Sequence, residues 1–212
     1  RWDAKGRMYV ACTWSYPHLK PGEIPNDKII QLTDTDGDGQ ADRSTVFADG
    51  LNIPTGLETA DGGVYVGQAT DLLFLRDLDD DGHADERQVL LSGFGTGDTH
   101  QAINSFTWSP DGELFFCCTS GGAAKLGQIM RLRPGRSSDR LQLFVESRGK
   151  TMLDFGDNLT VAPNGHLVVC EDQYTKVVPN RLIGVTPGGA TYVLAALTAQ
   201  TELAGACFSP DG

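Results

Sequence analysis

One turn pattern returns along this chain about every fifty residues, and it limits the fold more than any other feature. It appears as Trp2-Asp3-Ala4-Lys5-Gly6-Arg7-Met8-Tyr9-Val10 and as Ala60-Asp61-Gly62-Gly63-Val64-Tyr65-Val66. It returns as Trp108-Ser109-Pro110-Asp111-Gly112-Glu113-Leu114-Phe115-Phe116 and as Val161-Ala162-Pro163-Asn164-Gly165-His166-Leu167-Val168-Val169. Phe208-Ser209-Pro210-Asp211-Gly212 carries the turn alone. Each unit is a strand end, a tight turn whose Gly takes positive φ, and an apolar or alternating strand. A period of about 40–50 residues with about four strands per unit is that of a β-propeller blade.

The expectation is an all-β propeller of about four blades, each a four-stranded antiparallel sheet, either whole or part of a larger propeller. The blades divide at about 5–57, 58–107, 108–160 and 161–212, within one domain over 1–212. Pro17, Pro21, Pro25 and Pro54 punctuate loops and belong outside central strands. A solenoid or a sandwich is the alternative, because periodicity alone does not prove radial closure. An unclosed ring would leave an open blade edge that invites self-association.

Two acidic segments fall inside the first two blades. Asp34-Thr35-Asp36-Gly37-Asp38-Gly39-Gln40-Ala41-Asp42 matches Asp77-Leu78-Asp79-Asp80-Asp81-Gly82-His83-Ala84-Asp85. Both place carboxylates at loop positions 1, 3, 5 and 9, Gly at position 6, and Gln40 or His83 at position 7. That is the ligand rhythm of an EF-hand calcium loop. Position 12 departs from it, with Thr45 and Gln88 where a bidentate Glu would stand. The flanks Ile29-Ile30-Gln31-Leu32 and Leu72-Leu73-Phe74-Leu75 read as strands rather than helices. Each loop is therefore expected to join two strands of a hairpin, with calcium as a staple. Carboxylates this dense repel one another without a cation.

Composition narrows the function. The net charge is −11 and no basic stripe exists, so no nucleic-acid partner is expected. No apolar run approaches the roughly 18 residues that span a membrane. The five cysteines, Cys12, Cys117, Cys118, Cys170 and Cys207, are odd in number and contain no CxxC. Four of them lie in apolar runs and read as small core residues. The chain starts at Arg1 with no signal peptide before it, and its last turn should lead into another strand, so it reads as an excerpt.

Residues 1–116 carry Tyr16-Pro17-His18-Leu19-Lys20-Pro21-Gly22, Pro25-Asn26-Asp27-Lys28-Ile29, Val46-Phe47-Ala48-Asp49-Gly50-Leu51, Ile53-Pro54-Thr55-Gly56 and Gly93-Phe94-Gly95-Thr96-Gly97-Asp98-Thr99-His100. On these motifs the segment resembles the propeller of membrane-bound dehydrogenases from planctomycete-type bacteria, themselves similar to glucose and sorbosone dehydrogenases that use pyrroloquinoline quinone. The resemblance implies an exported, periplasmic or secreted protein acting on a small molecule. It also implies that His100, before Pro110-Asp111-Gly112, is the base that takes the hydroxyl proton while hydride passes to the quinone. The Gly-Asp-x-Gly segment expected after that strand is absent.

After Phe116 the resemblance changes. Thr119-Ser120-Gly121-Gly122-Ala123-Ala124-Lys125-Leu126-Gly127-Gln128-Ile129, Asp157-Asn158-Leu159-Thr160-Val161, Leu167-Val168-Val169-Cys170-Glu171-Asp172 and Glu202-Leu203-Ala204-Gly205-Ala206-Cys207 resemble PhoX-type alkaline phosphatases. Those phosphomonoesterases hold iron and calcium in a central channel. The resemblance implies Glu171 as a metal ligand, with Asp172, Asn158 and Glu202 as further candidates. The family's Cys-Glu-Glu segment is missing. Two propeller families would then meet near Phe116, which blade-like units permit because each mainly contacts its neighbours.

Three functions follow: a calcium-binding propeller of quinoprotein sugar or alcohol dehydrogenase type, a metal-dependent phosphomonoesterase, and a calcium-stabilised scaffold without catalysis. The fold alone does not choose among them.

Overall fold

The computed structural model describes residues 1–95, 103–173, 179–199 and 201–209. Among these residues there are strands and no helix. The strands are β1 (Met8–Cys12), β2 (Asp27–Thr33), β3 (Arg43–Leu51), β4 (Gly56–Ala60), β5 (Gly63–Gln68), β6 (Asp71–Arg76), β7 (Glu86–Ser92) and β8 (Ile103–Trp108). They continue with β9 (Leu114–Cys118), β10 (Gln128–Arg133), β11 (Arg140–Glu146), β12 (Gly156–Val161), β13 (Leu167–Glu171), β14 (Arg181–Val185) and β15 (Thr191–Ala196). They form four antiparallel meanders in chain order: β1-β2-β3, β4-β5-β6-β7, β8-β9-β10-β11 and β12-β13-β14-β15.

The recurring turn is the hairpin between the first and second strand of a sheet. Asp61 and Gly62, at φ 55° and 75°, close β4 onto β5 in the mirror-image turn that matches strand twist. In the next sheet Ser109 N donates to Glu113 O and Gly112 N to Ser109 O; Ala162, His166 and Gly165 repeat this between β12 and β13. Sheet bounds therefore fall one strand earlier than a turn-to-turn division: Gly56 to Ser92, Ile103 to Glu146 and Gly156 to Ala196, against divisions at 58–107, 108–160 and 161–212. The first sheet is three-stranded rather than four-stranded. Its turn, in which Gly6 N donates to Asp3 O, is preceded only by an isolated bridge of Trp2 with Met8.

The chain divides into two compact units, Arg1–Ile103 and Asn104–Gly212. In the first, Tyr9, Ile29, Phe47 and Leu51 of the first sheet share a core with Leu57, Val64, Val66, Leu73 and Leu75 of the second. In the second, Phe115, Cys117, Ile129 and Val145 share one with Leu159, Leu167, Val169, Ile183 and Val185. Burial differs between the strands of a sheet. β9 and β13 are buried at every residue, as near-continuous apolar runs require, whereas β7 and β15 are mostly exposed. The outer strands β3, β7 and β11 carry charges, among them Arg43, Glu86, Arg87, Arg140 and Glu146; β15 carries none. Cys117, Cys118 and Cys170 are buried and free; burial raises their pKa values, Cys118 to about 12, which leaves inert thiols.

Candidate functional site

Both acidic segments sit at hairpin ends, the first between β2 and β3 and the second between β6 and β7. Their internal bonding follows one plan. In the first loop Asp34 accepts Gly37 N at 2.6 Å and Gly39 N at 2.8 Å, while Asp42 accepts both the N–H and the hydroxyl of Thr35 at 2.7 Å. In the second, Asp77 accepts Asp80 N at 2.6 Å and Gly82 N at 2.9 Å, and Asp85 accepts Leu78 N at 2.7 Å. These donors hold Asp34 (Gly39 foremost, then Gly37) and Asp42 (the Thr35 N–H, then its hydroxyl) below the ordinary carboxylate pKa. The ring closes because residues such as Gly39 and Gly82 take φ of 87° and 94°. A Cβ on Gly82 would also stand 3.3 Å from the Gln31 amide oxygen.

The outcome is the same constellation twice. Asp34, Asp36 and Asp42 offer ligand oxygens within 4.8 Å of one another, and so do Asp77, Asp79 and Asp85. These are positions 1, 3 and 9 in both loops. Position 5 stands apart: Asp38 and Asp81 accept the N–H of Gln40 and His83 at 2.7 and 2.8 Å. The position-7 side chains point elsewhere. Gln40 donates to Asp38 at 3.1 Å, and His83 Nδ1 donates to Val46 O at 2.8 Å.

The surroundings of the loops differ. The second is fastened to the first sheet. Lys5 Nζ and Arg7 Nη1 grip Asp80 at 2.6 and 2.7 Å, lowering its pKa, with Lys5 the larger cause. Arg43 donates to Asp81 O at 3.3 Å, Ala84 N to Phe47 O at 2.7 Å, and Arg87 to Asp49 O. A cavity of about 410 Å³ opens beside this junction, walled by Asp3, Arg7, Tyr9, Phe47 and Asp80.

A third acidic group lies in the second unit, where Asp157, Asp172 and Glu202 bring carboxylate oxygens within 4.8 Å of one another. Asp157 accepts Asn104 Nδ2 at 2.7 Å and the Thr119 hydroxyl at 3.2 Å; the buried Asn104 Oδ1 has no hydrogen-bond partner among the described residues. Asp172 and Glu202 are thus brought together, but with Asp157 rather than with Asn158. The register slips between Gly156 and Asn158, a bulge that disrupts the strict side-chain alternation at this point. Glu171 stands apart as well. Fully buried, it takes Arg181 Nε at 2.7 Å, Arg181 Nη2 at 2.5 Å, Arg181 N at 3.1 Å and Asp154 N at 2.8 Å. Nearby Asp154, also fully buried, has its pKa raised by desolvation, with Lys150 Nζ at 3.7 Å. His100 lies outside the described residues.

Residues 1–176 match one family model, a domain of unknown function, DUF7133. The chain belongs to this family. The matched span includes residue 116. No curated protein matches. Among solved structures, a glucose dehydrogenase-type oxidoreductase from Thermus thermophilus is 18% identical, TM-score 0.56, over 89% of this chain and 61% of that one. A protein described as a gluconolactonase is 12% identical, TM-score 0.54, over 82% and 58%. PhoX of Pseudomonas fluorescens in complex with vanadate is 14% identical, TM-score 0.50, over 81% and 49%. At such identities the likeness establishes the fold, a β-propeller. The chain spans about three-fifths of the first two of these proteins. No helix among the described residues is long and apolar enough to cross a membrane.

Proposed function

We propose that this chain is a calcium-binding β-propeller from an exported protein of the sugar or alcohol dehydrogenase type, with calcium as a structural staple in two hairpin loops. The observation that carries the calcium reading is the repeated constellation, with Asp34, Asp36 and Asp42 placed like Asp77, Asp79 and Asp85. Three carboxylates around a point suit a hard cation that takes six to eight oxygens, main-chain carbonyls and water supplying the remainder. The flanking strands speak for a staple over a sensor, since no helix pair flanks either loop.

The dehydrogenase reading rests on the motifs of residues 1–116 and on the fold shared with a glucose dehydrogenase-type protein. His100 would act as the general base. No cradle for pyrroloquinoline quinone is identifiable among the described residues. Alcohol- or sugar-dependent dye reduction by the chain supplied with calcium and the quinone tests this reading. Silence of the wild type, or full activity in His100→Ala, overturns it.

One specific observation favours a second reading, metal-dependent phosphomonoester hydrolysis. Asp157, Asp172 and Glu202 converge, and the Asn104 amide holds Asp157 in place by donating its Nδ2 at 2.7 Å. A hard cation there would polarise a phosphoryl oxygen. Iron in this role fits the three carboxylates less well than calcium or magnesium does. Hydrolysis of p-nitrophenyl phosphate that is lost in Asp157→Asn would establish it. Failure of both assays with calcium still bound would leave a calcium-stabilised scaffold.

A further inference from the structure

Residues 13–26, between β1 and β2, form a long loop where β5 and β6 of the next sheet are joined by Ala69 and Thr70 alone. Long loops without secondary structure inside a compact domain commonly carry function. This one holds large apolar side chains in water, with Trp14 71%, Ile24 86% and Tyr16 40% exposed. It is nevertheless well anchored. The fully buried Asp27 accepts Ser15 N and Ile53 N, both at 2.9 Å, so each of its oxygens fixes a segment. Glu23 accepts Lys20 N at 3.2 Å and donates its own N–H to Lys20 O at 3.0 Å, and Pro17, Pro21 and Pro25 restrict φ along the way. A backbone anchored in this way lowers the ordering cost of presenting these apolar groups to a ligand.

The loop walls an open groove of about 440 Å³, within the usual size of a small-molecule site. Trp14, Leu19 and Ile24 are its apolar lining, and Glu23, Asn26 and Lys28 are among its polar lining. Glu23 is paired with Lys20 Nζ at 3.9 Å, and the charges of Asp27 and Lys28 sum to zero, so the groove is near neutral on a chain of net charge −11. An ionic ligand would meet no net counter-charge there. A neutral ring with one apolar C–H face and a rim of hydroxyls meets an indole surface, acceptors on Glu23 and Asn26, and donors on Asn26 and Lys28. We propose that this groove binds a neutral pyranose of an oligosaccharide, with Trp14 as the stacking platform. The site is independent of the calcium loops and of any turnover.

The test titrates the full chain with maltohexaose and with cellohexaose, followed by tryptophan fluorescence and calorimetry. Saturable binding to at least one is expected, weakened about tenfold or more in Trp14→Ala, less in Ile24→Ser, and unchanged in Trp2→Ala. Trp14 is exposed, so its replacement should leave Tm where it was, which separates lost binding from lost folding. The proposal is overturned by no saturable binding to either sugar, or by affinity that survives Trp14→Ala. It is also overturned if Trp14 is needed instead for sedimentation with phosphatidylcholine vesicles, which would make the loop a membrane-contact surface.

Discussion

The two acidic loops share a sequence rhythm and nearly the same internal bonds, yet they sit in different company. The first, Asp34 to Asp42, bonds mainly within itself and its side chains are largely exposed. The second, Asp77 to Asp85, is held from the neighbouring sheet by Lys5, Arg7 and Arg43, and reaches back through His83 and Ala84. An identical ligand pattern can therefore serve two purposes. In the first loop a cation would tie one hairpin. In the second it would stiffen a junction between two sheets, and part of the ordering cost is already met by the neighbours.

Chelation gives the largest expected effect. With calcium about a hundredfold above Kd, each site adds about 2.7 kcal/mol, so stripping both should lower Tm by roughly 10–20 °C. Scans with and without chelator measure it, and an unchanged Tm would take the cation out of the comparison altogether. Next comes a carboxylate that needs no ion. Glu171 is neutralised by Arg181, and Arg181→Ala should cost about 3–5 kcal/mol with calcium present or absent. A loss that appeared only without calcium would mean that Glu171 shares a metal after all.

Asp79→Ala and Asp36→Ala sharpen the contrast itself. Each should reduce calcium stoichiometry in calorimetry, but Asp79→Ala should depress Tm further, because its loop secures two sheets. Equal depressions would show that the contacts of Lys5, Arg7 and Arg43 are incidental. The smallest effect belongs to Asp80→Asn, which weakens the ion pairs with Lys5 and Arg7 at the surface and should lower Tm slightly at low salt and hardly at all at high salt.

The propeller was legible because its turns depend on local chemistry. Asp61-Gly62 and Pro110-Asp111-Gly112 name their own geometry, so their recurrence reported the hairpins without any long-range information. The acidic loops were legible for the same reason, down to the placing of positions 1, 3 and 9. Their unequal settings were not, since the contact of Lys5 with Asp80 arises only when two sheets meet. Asp157 was hidden by a bulge, which shifts the register by one residue without any mark in the sequence. The engagement of Glu171 left a fainter trace. Cys170 pairs with Leu182, which sets Glu171 opposite Arg181, and a cross-strand reading of that hairpin would have matched the charges.

The charge-free outer strand β15 has a practical consequence. Thr191 to Ala196 offers an unprotected hydrogen-bonding edge that can template growth once neighbouring structure loosens. Heated samples should therefore cloud and fail to recover on cooling, and the apparent midpoint should move with scan rate. Val193→Lys should restore reversibility.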